Sequence, residues 1–128
     1  MEKVRGIGGV FLKAKNPSEM ATWYETHLGI SFAGNEYAIL HWRESMTAEQ
    51  NPVTVFSFFP EDSSYFAPST SQFMMNFRVD NLDAMLEQLK TAGVEVMSEI
   101  TEDNNGRFGR ILDPEGNKIE LWQPAPGM

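Results

Sequence analysis

A chain of 128 residues, 41% of them hydrophobic, has enough apolar material for one core and too little for two independent ones. Its net charge of −8 argues against nucleic acid as a partner, because proteins that bind a phosphate backbone present a basic face. The lack of cysteine removes disulfides, thiolate nucleophiles and cysteine metal sites; with no run of about eighteen apolar residues to enter a membrane, and no signal-like start, a cytoplasmic protein is the expectation.

Ile7 to Ala14 reads as the first strand, with Val10, Leu12 and Ala14 alternating against Gly9, Phe11 and Lys13. A helix follows: Asn16 is its cap, Pro17 suits the first turn, Glu19 is placed to complete a capping box, and Gly29 ends it. Further strands are expected at Ile30 to Ala33, Tyr37 to Arg43 and Val53 to Phe59. The stretch PEDSSYFAPSTSQ that begins at Pro60 is polar and turn-forming, and reads as a connector.

The plan then repeats. Phe73 to Val79 is a strand, and Asp80 or Asn81 caps a second helix. Leu82, Met85, Leu86 and Leu89 make that helix's apolar stripe, and Gly93 stops it. Asn16, Met20 and Gly29 thus recur in order as Asn81, Met85 and Gly93. Strands are expected at Val94 to Ile100, Arg107 to Leu112 and Lys118 to Gln123. Glu102 to Gly106 reads as a polar loop, and Asp113-Pro114-Glu115-Gly116-Asn117 as the turn of a hairpin. The expected fold is α+β, with two tandem βαβββ modules in one domain: residues 1–60, a connector at 61–72, and residues 73–128.

Two such modules, ending in Asp113-Pro114-Glu115-Gly116-Asn117-Lys118-Ile119-Glu120-Leu121-Trp122, closely resemble the vicinal oxygen chelate superfamily of glyoxalase I, ring-cleaving dioxygenases, fosfomycin-resistance enzymes and bleomycin-resistance proteins. The likeness covers nearly the whole chain. It implies a curled mixed sheet around a small-molecule cleft, often with a divalent metal, and, by analogy with relatives, a homodimer. The metal pattern of the family falls here on Gly9, roughly Ser57, Met74 and Glu120, and only Glu120 keeps a ligand's chemistry. A catalytic metal needs about three protein ligands, so the expectation is no cofactor, with a divalent metal disfavoured.

If Glu120 marks the cleft face of the last strand, alternation brings Lys118 and Trp122 to the same face, and sends Ile119 and Leu121 to the helices. Phe11, Met74 and Trp122 then form apolar walls, with Asn76, Arg78 and Glu120 as polar groups and Arg107 or Arg110 joining from the neighbouring strand. A buried Glu120 needs a partner, for which Arg78 or Arg107 is suited, either as part of a site or as a structural ion pair. His41 has two readings, an acid or base facing Glu120 or an ordinary outward strand residue. Trp42, Phe56, Phe58 and Phe59 read as core or as a stacking platform. Tyr65 and Phe66 close over a ligand or enter a dimer interface. His27 reads as a helix-end residue.

Three functions fit. One is a metal-free cleft that binds or transforms a small molecule, with Glu120 and His41 as proton-transfer groups; another is a metal-dependent lyase or dioxygenase; the third is a drug-sequestering protein.

Overall fold

The computed structural model describes residues 1–34, 36–42 and 51–128. Strand β1 (Val4–Ala14) leads into helix α1 (Pro17–Leu28), followed by β2 (Phe32–Ala33), β3 (Tyr37–His41) and β4 (Val53–Pro60). The second half repeats this with β5 (Phe73–Val79), α2 (Leu82–Thr91), β6 (Thr101–Asp103), β7 (Gly106–Leu112) and β8 (Lys118–Pro124).

The eight strands form one sheet in the order β2-β3-β4-β1-β5-β8-β7-β6. Exchanging the two halves maps this order onto itself, so the internal repeat of the sequence is a pseudo-twofold of the fold. Its axis passes between β1 and β5, which run antiparallel with Phe11 opposite Met74. The pairs β1–β4 and β5–β8 are parallel, and the outer pairs are antiparallel. The sheet is mixed, and β2 and β6 are its two edges.

Both helix starts follow from asparagine. Asn16 Oδ1 accepts from the Glu19 N–H at 3.1 Å, the forward half of the capping box, and Ser18 Oγ also donates to it. Asn81, rather than Asp80, caps α2 by accepting from Ala84 N–H at 3.0 Å. Gly29 (φ 70°) and Gly93 (φ 85°) lie in the left-handed region, as helix-ending glycines do.

The two helices cover the sheet unequally. Leu82, Met85 and Leu86 of α2 pack with Val79, Ile111 and Leu121 in a buried cluster that Phe77, Leu89, Val94, Val96 and Ile119 extend. Under α1 only Ala21 is buried, and Tyr24 rests edge-on to Phe56 and beside Phe58. Phe56 and Phe58 are therefore helix-side packing. A second cluster of Phe11, Phe66 and Met74 lies on the other face of the central strands.

Several expected boundaries shift. β1 begins earlier, at Val4. The strand from Ile30 shortens to two residues, and β3 is described as far as His41, with Arg43 outside the described residues. Val94 to Ile100 is not a strand: it makes an isolated bridge from Val96 to Ile111. Val94 and Val96 instead pack on the α2 cluster, which satisfies their apolar alternation without a ladder. The segment read as a loop, Glu102 to Gly106, contains the end of β6, a turn in which Asp103 Oδ1 accepts from Asn105 N–H at 2.7 Å, and the start of β7.

The turn between β7 and β8 forms as expected. Gly116 N–H donates to Asp113 O at 3.0 Å, and Gly116 has φ 81°. Asp113 Oδ1 receives the N–H groups of Glu115 and Asn117.

Candidate functional site

The run Gly6-Ile7-Gly8-Gly9 sets the shape of the site. A β-bulge between β1 and β5 falls between Ile7 and Gly9. A Cβ on Gly8 would lie 2.2 Å from Asn76 Oδ1 and 2.8 Å from the Trp122 ring, one on Gly6 would lie 2.5 Å from the Trp42 ring, and one on Gly9 would lie 2.8 Å from the Phe11 ring. Glycine here lets four side chains lie down across a central strand. Sequence reasoning treats Gly9 as a vacant ligand position and passes over Gly6 and Gly8, although glycines inside a strand pattern are a legible sign of close approach.

Above this floor is a cavity of about 320 Å³. Phe11, Tyr37, Ile39, Val53, Val55, Phe59, Phe108 and Trp122 form its walls, with Asn76, Glu120 and Ser57 as polar groups. Trp122 is 3% exposed, stacks parallel to Phe108 at 6.0 Å, and donates its indole N–H to Asn105 O at 2.9 Å. These contacts fix the ring as a rigid wall.

Glu120 is 3% exposed at one end of the cavity and sits opposite Asn76 on β5 and Arg110 on β7. Its Oε1 accepts from Asn76 Nδ2 at 2.7 Å. Its Oε2 accepts from the Tyr65 hydroxyl and from Arg110, with Nε at 3.2 Å and Nη2 at 3.1 Å. Arg110 Nη2 also donates to Tyr65 Oη at 2.8 Å. The buried carboxylate is thus paired and hydrogen-bonded, as a charge removed from water must be. Burial, with Glu120 adding to it, pushes the Tyr65 phenol up to about 12, so it acts as a neutral donor at ordinary pH.

Tyr65 is itself held in place. Its ring stacks on Phe59 at 5.7 Å, Lys118 Nζ lies 4.8 Å over it, and the same Nζ donates to Tyr65 O at 2.5 Å. Burial, with Arg110 nearby, lowers the Lys118 ammonium below the usual lysine value. The next residue, Phe66, is fully buried with Phe11 and Met74. The connector therefore crosses the sheet as a strap and covers Glu120.

Of the residues singled out in the sequence, Phe11, Ser57, Asn76, Glu120 and Trp122 come together at this cavity. Met74 does not line it, being wholly buried under Phe11 and Phe66. Arg107 is not Glu120's partner: it forms an outward ion pair with Asp83 at 2.9 Å, on the α2 side. Arg78 is not the partner either, since it donates to Met128 O at 2.6 Å. Trp42 and Arg78 line an adjoining cavity instead. His41 ends β3 in an exposed position and lines neither of these two cavities.

Arg110 and Tyr65 are the residues that sequence reasoning leaves undecided or misplaces. Arg110 has a usable signal, because counting back from the Asp113–Asn117 turn pairs Leu112 with Lys118 and Arg110 with Glu120. Tyr65 stands out in the sequence as an aromatic in a polar connector, but its contact with Glu120, which spans the two halves of the chain, has no sequence signal.

The donor chemistry at the family's four ligand positions does not fit a tightly held divalent ion. Gly9 has no side chain, Met74 is buried among aromatic rings, and Ser57 donates its hydroxyl to Glu36 O at 3.1 Å. Glu120 has a guanidinium against one oxygen and an amide on the other. Among the described residues, no three His, Cys, Asp or Glu side chains converge on one point.

A paired four-stranded half, repeated about a pseudo-twofold around a concave cleft, defines a small α+β protein of the vicinal oxygen chelate class. The chain belongs to the Glyoxalase/Bleomycin resistance protein/Dioxygenase superfamily, whose sequence model matches residues 6–121. Among solved structures it is similar to methylmalonyl-CoA epimerase from Mycobacterium tuberculosis, at 22% identity and TM-score 0.67, covering 96% of this chain and 90% of that one. A point variant of the epimerase from Streptomyces coelicolor, in complex with 2-nitronate-propionyl-CoA, matches at 16% identity and TM-score 0.64, covering 93% and 96%. The Mn(II)-bound glyoxalase from Novosphingobium aromaticivorans matches at 17% identity and TM-score 0.64, covering 99% of this chain and 42% of that one. No curated protein matches the chain. At these identities the structural likeness speaks for the fold.

Proposed function

We propose that this chain binds, and possesses the polar groups to act upon, a small molecule held in the cleft without a metal ion. The observation that carries the reading is the 320 Å³ cavity, with walls drawn from β1, β3 and β4 of the first half and β7 and β8 of the second, and a polar end made by Asn76 and Glu120. Apolar walls with a few convergent polar groups are what a small-molecule site needs. Glu120 Oε1 takes one hydrogen bond from Asn76 and keeps a second lone pair for a ligand N–H or O–H. The Arg110 partner neutralises Glu120, so the cavity's polar end offers acceptors without a net charge. A neutral donor group therefore suits it better than the cationic drug of a sequestering protein.

The metal-dependent lyase or dioxygenase is the second reading, favoured by the one family acid that remains, Glu120. A homodimer accords with relatives and with the half-exposed apolar side chains Ile7 and Leu40; light scattering measures it directly.

The test of the main reading is an NMR screen of small aromatic alcohols and amides against the whole chain. Binders are expected to shift the Trp122 indole and the Phe59 and Phe108 rings, and to weaken about tenfold or more in Phe108→Ala. Binders that leave those rings unshifted contradict the cleft assignment.

A further inference from the structure

The residues after β8 fold back on the molecule. Pro126 and Gly127 are the residue types that a type II turn takes at its two central positions, Gly127 has φ 87°, and Met128 N–H closes the turn on Ala125 O at 3.0 Å. The near end of the turn is fixed to the second half of the chain. Ala125 N–H donates to Asn105 O at 2.8 Å, and a Cβ on Gly106 would lie 2.1 Å from Gln123 O and 2.8 Å from Ala125 N. The far end reaches the first half and the middle of the sheet: Gly127 O accepts from Asn51 N–H at 3.0 Å, and Met128 O accepts from Arg78 Nη2 at 2.6 Å.

This fold-back sets Met128 between two cavities. Beside the aromatic cavity of about 320 Å³ lies another of about 510 Å³, and Met128 is the one described residue that lines both. Their chemistry differs. Aromatic rings wall the first, whereas Arg5, Asn51, Arg78, Asp80 and Gln123 enter the lining of the second, with Arg5 and Asp80 paired at 2.7 Å. The Arg78 guanidinium carbon is 5.0 Å from the ring centre of Trp122, in the first wall, and 5.3 Å from that of Trp42, in the second. The two walls thus meet at Arg78, the residue that holds Met128.

Two hydrogen bonds tie the far end of the turn to the rest of the chain, and Gly127 itself is exposed. Asn51, the source of one of them, keeps a buried side-chain Oδ1 that has no partner among the described residues. A buried acceptor left unpaired costs free energy that water would return, so the closed arrangement is incompletely satisfied.

We propose that the Ala125–Met128 turn is a movable partition, and that the cleft takes an elongated ligand that displaces Met128. Its apolar ring lies against Phe108 and Phe59, and its chain runs past Arg78 to a neutral hydrogen-bonding group beside Asn51 and Gln123. The inference rests on the aromatic cavity being a ligand site; it adds the length and far end of the ligand and the segment that moves. A ligand that needs the open arrangement binds more weakly by the fraction of molecules that are open. Loosening the turn therefore strengthens a long ligand and leaves a short one unchanged.

The experiment is an NMR titration of the whole chain with 3-phenylpropan-1-ol and 6-phenylhexan-1-ol, in the wild type and in Gly127→Val. Valine disfavours a φ of 87°, and a Cβ there meets nothing within 4 Å, so the substitution acts on the turn alone. The short alcohol is expected to shift the Phe108 ring and to leave the Trp42 indole and the Met128 methyl in place. The long one is expected to shift all three and to bind about tenfold tighter in Gly127→Val, while the short one changes by less than about twofold. A long alcohol that leaves Trp42 and Met128 unshifted, or a Gly127→Val that changes both alcohols alike, overturns the partition and leaves the cleft reading standing. Arg78→Gln removes the other tie and is expected to give the same selective gain, so it serves if the valine variant does not fold. If neither alcohol shifts Phe108 in any form, the cleft reading falls and the partition with it.

Discussion

Tyr65 is the residue on which the condition of Glu120 turns. Its phenol donates to the carboxylate and receives Arg110, so it completes a triangle with Glu120 and Arg110 at the end of the cavity. Tyr65→Phe is expected to cost about 1.5–3 kcal/mol by urea unfolding, the worth of a hydrogen bond to a charged group. Because the folded-state value of the phenol is raised from 10.0 to about 12, its contribution is complete below pH 10 and is lost as the pH rises through 12. The wild-type chain should therefore lose stability over that window more steeply than Tyr65→Phe, and superimposable alkaline profiles would contradict the role assigned to it. Gly8 is the second telling residue. A methyl at Gly8 meets Asn76 Oδ1 at 2.2 Å, so Gly8→Ala is expected to cost about 1–3 kcal/mol through forced displacement. It should also narrow the cavity, which loss of bound aromatic probe measures.

Among the elements, α2 and α1 differ in how much of the core they hold. Leu86 is 4% exposed in the cluster beneath α2, and Leu86→Ala is expected to cost about 2–5 kcal/mol. Met20, at the exposed surface of α1, should cost under about 1 kcal/mol on the same change, near the level of surface substitutions. Thermal or urea unfolding compares the two, and equal losses would contradict the unequal packing. The helices are legible in sequence because each carries its own start and stop, Asn16 with Gly29 and Asn81 with Gly93. The segment Val94 to Ile100 misleads because alternation reports which side chains are apolar, and not whether the backbone beside them finds a ladder partner. The central strands are readable for face: Asn76, Glu120 and Trp122 share one side, and Phe77, Ile119 and Leu121 the other. Register is harder. Arg107 and Arg110 lie on opposite faces of β7, one bonding Asp83 and the other Glu120, and only the hairpin turn distinguishes them.

At the scale of the whole molecule, the two halves have the same topology and different contents at equivalent places. Ser57 on β4 bonds a nearby carbonyl, while Glu120 on β8 is the centre of a buried ionic network. The pseudo-twofold is legible in the repeat, but the asymmetry of the cleft is not, because it depends on a connector residue, Tyr65, reaching the last strand. The strap sets a phenol, and β7 a guanidinium, against the one family acid, and this is the physical ground for reading the cleft as a small-molecule site without a metal.

The most direct test is elemental analysis of the purified chain after incubation with Ni²⁺, Co²⁺, Mn²⁺, Fe²⁺ and Zn²⁺ and removal of loose ions, with Glu120→Ala measured alongside. No retained stoichiometric metal is expected in either protein. One metal per chain in the wild type, lost in Glu120→Ala, would contradict the metal-free cleft and would mean that Arg110 and Tyr65 release the carboxylate to a cation.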